Sequence, residues 1–408
     1  MRICMVAYTN YEYDNRVMRY AESLVQRGDE VDVFAVCRKH QQKREVIRNV
    51  QVYRIQRRTP HEHLALSLLF KMVTFLFNSM FHVTLHHLRR RYDVIHVHSM
   101  PDFEIFCVLF AKLLGARCIL DIHDLVPELY VSRFKIGKES WIYKSLLWME
   151  RRSARYANHV IAANHIWHER LIGRSVPRER CTVFLNYPDE TIFKRAQKAK
   201  AHDDAFVMMY PGTLSIHQGL DLAIRALARI HERAPKARLE IYGDGSEREK
   251  LVALANELQI ADRVGFHDFV PIDRIAGIMC SADLGVVPKR ADGFGNEAFS
   301  TKILEFMTLG VPVLAADTRV DQYYFNDESI RFFRSGDVED LAKCMLEMIE
   351  NPATRERIAQ QGAELARSLT WTEHRQRYYD LVDRLGRKRI SEASLRSRII
   401  SSWTPSKR

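Results

Sequence analysis

Twice along its 408 residues the chain alternates short apolar, β-branched runs with stretches of helical spacing, and this alternation restricts its fold more than any other feature. Strands that alternate with helices pack as parallel sheets covered on both faces. In the first series, strands are expected at Ile3–Tyr8, Val31–Cys37, Val50–Ile55, Asp93–Val97, Arg117–Asp121, His159–Ala162 and Cys181–Leu185. Between the first two, Val17, Tyr20, Ala21, Leu24 and Val25 recur at helical spacing and stop at Gly28. A polar run near Lys194–Asp204 separates this series from a second one. There, strands are expected at Phe206–Tyr210, Arg238–Tyr242, Asp283–Val287 and Pro312–Ala315, and helices at Leu220–Arg233, Glu247–Leu258, Thr301–Leu309 and from Val338 onward. The expectation is an α/β protein of two Rossmann-like, doubly wound domains facing each other across a cleft. Their bounds are read as 1–195 and 196–370, with a helix at 371–386 that returns to the first domain and a basic tail at 387–408.

Charge and cysteine usage narrow the class. The net charge of +11 is uneven: seven Lys or Arg against Glu392 in residues 386–408 give 7 − 1 = +6 in the tail alone. The seven cysteines form no Cys-x-x-Cys pair, which predicts buried reduced thiols in place of a disulfide frame or zinc site. The start of the chain reads as a buried strand, without the features of a signal peptide, so a cytoplasmic protein is expected. One helix stands apart. Leu66, Leu69, Phe70, Val73, Phe77, Met80, Phe81, Leu85 and Leu88 give it a wide apolar face, with Ser67, Lys71, Thr74, Asn78 and His82 as a narrow polar stripe. It reads as a core helix or an interfacial one, and the following Arg89-Arg90-Arg91 would suit an anionic leaflet. Peripheral contact with the inner face of the plasma membrane is therefore an expectation. Nucleic acid is not an expected partner.

The segment richest in chemistry runs from Asp292 to Val313 and reads as Gly-rich loop, helix, turn and strand. A helix that begins near Ser300 or Thr301 aims its free amides and positive dipole end at an anion, and Lys302 in its first turn adds a full charge. A diphosphate suits that environment. Glu305, one turn on, is placed to accept from a ribose diol, and Glu297 lies before the helix, where a sugar beyond the diphosphate would sit.

Glu-x7-Glu followed by Phe306-Met307-x-x-Gly310-Val-Pro-Val313 resembles the donor-site signature of the family 4 retaining glycosyltransferases, the glycosyl transferases group 1 of the GT-B fold. Further segments are similar in order and spacing: Asn15-Arg16-Val17, Asp121-Ile-His123-Asp124-x-x-Pro127-Glu128, Asn186-Tyr-Pro-Asp189, Tyr210-Pro-Gly212-Thr213-Leu214, Gln218-Gly219 and Tyr242-Gly243-Asp244-Gly245. The resemblance spans roughly residues 1–385. It implies a retaining transfer from a nucleoside diphosphate sugar to a glycan acceptor, with Glu297 on the transferred sugar, Glu305 on the ribose and His123 facing the sugar from the first domain. His123, Glu297 and Lys302 are thus the expected catalytic residues. The expected donor-binding set is Gly212, Thr213, His217, Gln218, Gly243, Lys289, Arg290, Ser300, Thr301 and Glu305.

The chain departs from the family pattern at two phosphate cations, where Thr213 and Gln218 replace the usual Arg and Lys, leaving His217, Lys289, Arg290 and Lys302 as candidates. Among carboxylates that could orient an acceptor hydroxyl, Asp14, Asp102, Glu104, Asp124 and Glu128 are not distinguished. No Asp-x-Asp sits at a strand end, and the cation-rich loop supplies charge for a departing diphosphate, so no metal and no cofactor are expected. The wide apolar helix and basic tail point to a lipid-linked glycan acceptor in cell-envelope or exopolysaccharide synthesis. A nicotinamide-dependent oxidoreductase is disfavoured, because no Gly-x-Gly-x-x-Gly follows Ile3–Tyr8. A sugar-nucleotide epimerase of the same fold and a non-catalytic donor-binding membrane protein stay open.

Overall fold

The computed structural model describes residues 1–38, 40–57, 65–195 and 205–401, the last stretch by backbone alone from 387. Two compact units result. The first comprises Met1–Tyr130 and Lys135–Leu185 with the chain from Arg375 on, and the second comprises Val131–Phe134 and Asn186–His374. The units thus part between Leu185 and Asn186, ahead of the polar run read as the boundary, because Phe193 is buried in the second unit's core with Val287, Leu304 and Phe306. Most of that polar run, 196–204, lies outside the described residues. Helix Trp371–Ser401 starts in the second unit and belongs to the first from Arg375. The tail's side chains from 387, and all of 402–408, are outside the described residues.

The first unit carries eight strands: β1 (Arg2–Asn10), β2 (Glu30–Cys37), β3 (Arg44–Ile47), β4 (Val50–Arg57), β5 (Val94–His98), β6 (Arg117–Ile122), β7 (His159–Ala162) and β8 (Cys181–Val183). Their order is β3-β4-β2-β1-β5-β6-β7-β8, parallel apart from β3, which pairs antiparallel with β4. The second unit carries β9 (Phe206–Pro211), β10 (Ala237–Tyr242), β11 (Val264–His267), β12 (Leu284–Val287), β13 (Val313–Ala316) and β14 (Arg331–Phe333), in the order β11-β10-β9-β12-β13-β14, all parallel. Central strands are buried on both faces, as Ile3 to Ala7 show, and this is why they read as unbroken apolar runs. Each sheet has one switch point, between β1 and β5 and between β9 and β12, where the chain reverses its direction of winding. Ligands of doubly wound sheets bind at the carboxyl ends of the strands beside that switch.

Sequence reading missed β3, β11 and β14, and each of the three is an edge strand of three or four residues. An edge strand needs little apolar surface, so its sequence carries little periodicity. All seven cysteines are buried and none is joined in a disulfide.

Helix Ala65–Arg89 inverts the usual arrangement. It buries Phe75, Ser79, Val83 and His87, a stripe half polar, and exposes Phe70, Phe77, Phe81 and Leu88, each by more than 60%. Glu104, from the turn that follows β5, explains the polar half: it is fully buried and accepts from Ser79 Oγ. Burial pushes the Glu104 carboxyl up to about 8, although hydrogen bonds from Ser79 and Cys107 oppose the shift. An acid whose folded pKa lies above its unfolded value stabilises the fold below the unfolded pKa, and that contribution is lost as pH rises through the folded one. Wild type should therefore lose stability relative to Glu104→Gln between about pH 5 and 8, at about 1.4 kcal/mol per pH unit. Denaturant midpoints of the two proteins across that range check the slope, and parallel curves would refute it.

Candidate functional site

The second unit builds its site from the loops that leave β9, β10 and β12 at the switch point. After β9, Gly212 takes φ +139° and donates its amide to the Tyr242 carbonyl at 2.8 Å. Gly243, at φ +145°, donates in turn to the His267 carbonyl at 3.0 Å. A Cβ on Gly243 would collide with the Gly212 carbonyl, and one on Gly212 with the stem of Lys302. Only glycine permits these conformations and this approach. The result is a floor of bare backbone beneath the Lys302 ammonium. Tyr210, fully buried at the end of β9, sits 5.1 Å from that ammonium by its ring centroid and donates its hydroxyl toward the Thr213 carbonyl (3.0 Å) and Gln218 Oε1 (2.9 Å). Sequence reading places Tyr210 in a segment similar to the family but assigns it no role; the tyrosine fixes the loop in which Thr213 and Gln218 stand.

Helix Thr301–Leu309 runs as the sequence predicts, closed by Gly310 at φ +73°. Its N-cap residue, Ser300, does not cap: its hydroxyl donates to Asp321 Oδ2 at 3.3 Å. The amides of Thr301 and Lys302 therefore keep no partner among the described residues, and Ile303 is the first to donate, to the Ser300 carbonyl at 3.1 Å. Exposed first-turn amides carry about half a positive charge at a helix N-terminus. Lys302 adds a whole one, and its ammonium makes no hydrogen bond or ion pair among the described residues. Burial holds the Lys302 pKa below its ordinary value, while Glu305 raises it and the neighbouring charge of Lys289 lowers it further. An anion bound here would relieve both penalties.

The other cations read from the sequence are already engaged. Lys289 is buried and donates to Asp321 Oδ2 (2.9 Å) and the Ala298 carbonyl (2.7 Å). Arg290 binds Asp221 at 2.5 Å and the Ile216 carbonyl at 3.2 Å, and His217 pairs with Asp292. These three contacts lock the β9 and β12 loops together in place of offering free charge. Asp321, which sequence reading did not single out, organises the loop by accepting also from Thr318 Oγ at 2.7 Å. Glu297 is 7% exposed and lies 3.5 Å from the exposed guanidinium of Arg319, a partner 22 residues on (319 − 297) that no local pattern marks.

His123 belongs to the first unit, just past the carboxyl end of β6. Its Nε2 lies 3.2 Å from Asp121 Oδ2 and 3.2 Å from His98 Nδ1. Burial alone would raise the Asp121 carboxyl, but Arg16, on both of its oxygens at 2.7 Å, and His123 hold it well below the usual range. His96, His98 and Asp121 offer ligand atoms within 4.8 Å of one another. The charge of that trio is nevertheless already met by the Arg16 guanidinium, which opposes a divalent ion there. Four of the five carboxylates left undistinguished by sequence have structural partners: Asp14 caps helix Asn15–Gln26, Asp102 accepts from Ser99, Glu104 from Ser79, and Glu128 pairs with Arg174 at 2.6 Å. Asp124 makes no hydrogen bond or ion pair among the described residues, and burial raises its pKa although the charges of His123 and Arg16 oppose the shift.

The two lysines differ in role, Lys289 being paired with Asp321 while Lys302 has no ion pair among the described residues, and experiment can separate them. Lys289→Ala leaves Asp321 buried without its cation and should cost about 3–5 kcal/mol of stability. Lys302→Ala should change stability by less than about 1 kcal/mol, because no partner is orphaned. Chemical denaturation of both variants checks this, and a reversed order would contradict the assignment of the two ammonium groups.

The family described as glycosyl transferases group 1 matches residues 191–365, and the glycosyl transferase 4-like domain matches residues 13–186. An uncharacterized glycosyltransferase of Methanocaldococcus jannaschii is 26% identical over 350 residues, covering 78% of this chain and 80% of its own. An O-antigen biosynthesis glycosyltransferase of Escherichia coli is 25% identical, over 60% of this chain and 66% of its own. Among solved structures, a sucrose-phosphate synthase from Thermosynechococcus elongatus superposes with TM-score 0.74 at 17% identity, covering 98% of this chain and all (100%) of that one. HepE of Anabaena, solved in complex with UDP-glucose, gives TM-score 0.67 at 17% identity, covering 97% and 99%. The chain belongs to the group 1 glycosyltransferases, and its two sheets are the two Rossmann-like halves of their GT-B fold.

Proposed function

We propose that this glycosyltransferase moves a sugar from a nucleoside diphosphate donor onto a lipid-linked glycan, with retention at the anomeric carbon and without a metal. The observation that carries the donor assignment is the Lys302 ammonium, which makes no hydrogen bond or ion pair among the described residues, beside the open amides of Thr301 and Lys302. Cleavage of the sugar–phosphate bond builds negative charge on the leaving diphosphate. Fixed donors aimed at that charge stabilise the transition state more than the ground state. Lys302 and the helix N-terminus would supply what a divalent cation supplies elsewhere. Glu305, three residues along the same helix, would accept from the ribose, and Glu297 and His123 would contact the transferred sugar. The likeness to HepE, whose structure holds UDP-glucose, supports a nucleotide-sugar donor. Retention follows the family resemblance, and a front-face departure and attack suits a site in which no side chain stands out as a nucleophile.

The acceptor side rests on the exposed apolar face. Ser67–Arg89 is long and apolar enough to cross a membrane, yet only 17% of that apolar window is buried against protein. Phe70, Phe77, Phe81 and Leu88 continue onto exposed Phe110 and Leu113 of the neighbouring helix Leu109–Leu113. Arg89 and Arg91 are exposed at the end of this face. An apolar band ending in cations suits the boundary of an anionic leaflet, from which a lipid-linked acceptor would be reached at the inner face of the plasma membrane. The pathway would be cell-envelope or exopolysaccharide synthesis, a reading that the likeness to an O-antigen glycosyltransferase supports.

Thermal melts with UDP-, GDP-, ADP- and dTDP-sugars test the donor. One nucleotide series should stabilise wild type, by about 2.7 kcal/mol at a hundredfold excess over Kd, and should lose most of that effect in Lys302→Ala and Glu305→Ala. Equal stabilisation of all three proteins would place the donor elsewhere, and stabilisation without turnover on any acceptor would favour a non-catalytic binder. Sedimentation with phosphatidylglycerol vesicles tests the surface: wild type should co-sediment and Phe77→Ser/Phe81→Ser should not. Undiminished binding by the double variant would remove this face from the account.

A further inference from the structure

His123 meets Asp121 in an arrangement that sets which of its two ring nitrogens carries the proton. Asp121 is fully buried, and its Oδ1 accepts from Arg16 Nη2 at 2.7 Å. Its Oδ2 accepts from Arg16 Nε at 2.7 Å and lies 3.2 Å from both His98 Nδ1 and His123 Nε2. Since His98 Nδ1 and His123 Nε2 are themselves 3.2 Å apart, two proton arrangements compete. In one, both rings direct an N–H at the carboxylate. In the other, His98 donates to His123, whose Nε2 lone pair then faces a negative oxygen at 3.2 Å.

The first arrangement sets two N–H donors 3.2 Å apart but aims both at a full negative charge, whereas the second holds a lone pair against that charge, and the burial of Asp121 gives the charged contact the greater weight. A carboxylate is also the stronger acceptor of the two, because its charge roughly doubles the strength of the bond. The histidines behind it hold the geometry. His96 stacks on His98 with ring centroids 4.2 Å apart, and Tyr378 Oη lies 2.9 Å from His96 Nδ1. His98 Nε2 is buried without a partner, which is tolerable for a lone pair and costly for an N–H, so the His98 proton sits on Nδ1.

We propose that Asp121 is a positioning residue: it takes the Nε2–H of His123, fixes that tautomer, and leaves Nδ1 as a lone pair that accepts from a hydroxyl of the bound sugar. His123 Nδ1 has no hydrogen bond among the described residues, and the side chain is 21% exposed, so this edge is open to a ligand. His123 then acts as an acceptor that orients a hydroxyl, not as an acid. The inference rests on the proposed function only for what His123 touches; the tautomer itself needs no substrate.

Long-range proton–nitrogen spectra of the full chain labelled with ¹⁵N-histidine, recorded near about pH 7.5 where imidazole is mostly neutral, read the tautomer directly. The expected result is His123 protonated at Nε2 with an unprotonated Nδ1. His98→Gln keeps the Arg16–Asp121 pair and removes the rival imidazole, and should leave that signature unchanged. Asp121→Asn should give mixed tautomers and at least about a tenfold lower kcat with little change in donor KM. A wild-type Nδ1–H tautomer, a switch in His98→Gln, or a folded Asp121→Asn that keeps the wild-type signature would each overturn the proposal. Should Asp121→Asn fail to fold with Arg16 left unpaired, the wild-type and His98→Gln spectra decide alone. A chain with the expected tautomer that binds no nucleotide sugar would remove the proposed function and leave the Asp121–His123 pair standing.

Discussion

The second half of the chain is arranged around the ammonium group of Lys302, which makes no hydrogen bond or ion pair among the described residues and feels Glu305 only at longer range. Two lysines lie within electrostatic reach of each other at the strand ends, and burial disfavours the charge on both. Lys289 is compensated by Asp321, which is itself fully buried and holds Ser300 and Thr318 as well. That choice has a consequence at the helix: with its hydroxyl directed to Asp321, Ser300 leaves the first-turn amides open. Lys302 and those amides then share one small region above the backbone of Gly212. The whole makes sense electrostatically once an anion completes it.

Much of this was legible in the sequence because parallel sheets and helix starts have strong local signatures. Helix Thr301–Leu309 and the central strands were read near their true bounds, since buried strands are continuous apolar runs and Gly310 supplies the left-handed closure that ends the helix. The distinction between Lys289, Arg290 and Lys302 was not legible. Each is a basic residue near a glycine-rich loop, and only the fold shows that Asp321 and Asp221 come back to neutralise the first two. Those partners stand 32 and 69 residues away (321 − 289 and 290 − 221), beyond any local pattern. The role of Tyr210 was equally illegible, since its place in a family-like segment does not show that its hydroxyl reaches the Thr213 carbonyl and Gln218.

The long apolar helix shows the limit of reading amphipathicity as burial. Its wide apolar face was expected either in a core or at an interface, and periodicity alone cannot separate the two. The fold does so through Glu104, a buried acid that selects Ser79 for the inner stripe and so turns Phe77 and Phe81 outward. In the same unit, Asp121 and Arg16 lie 105 residues apart and form the buried pair against which His98 and His123 are set. Both halves therefore use one device. A buried carboxylate, held in place by a distant cation, determines which polar groups of the neighbouring loops remain available.

Hydrogen exchange of the full chain, with and without the nucleoside diphosphate that the donor panel selects, tests the central claim most directly. The account predicts slowed exchange at the amides of Thr301 and Lys302 and in the loop that follows Gly212, with Lys302→Ala losing that protection. Protection confined to other segments, with residues 300–303 exchanging as in the free protein, would contradict it.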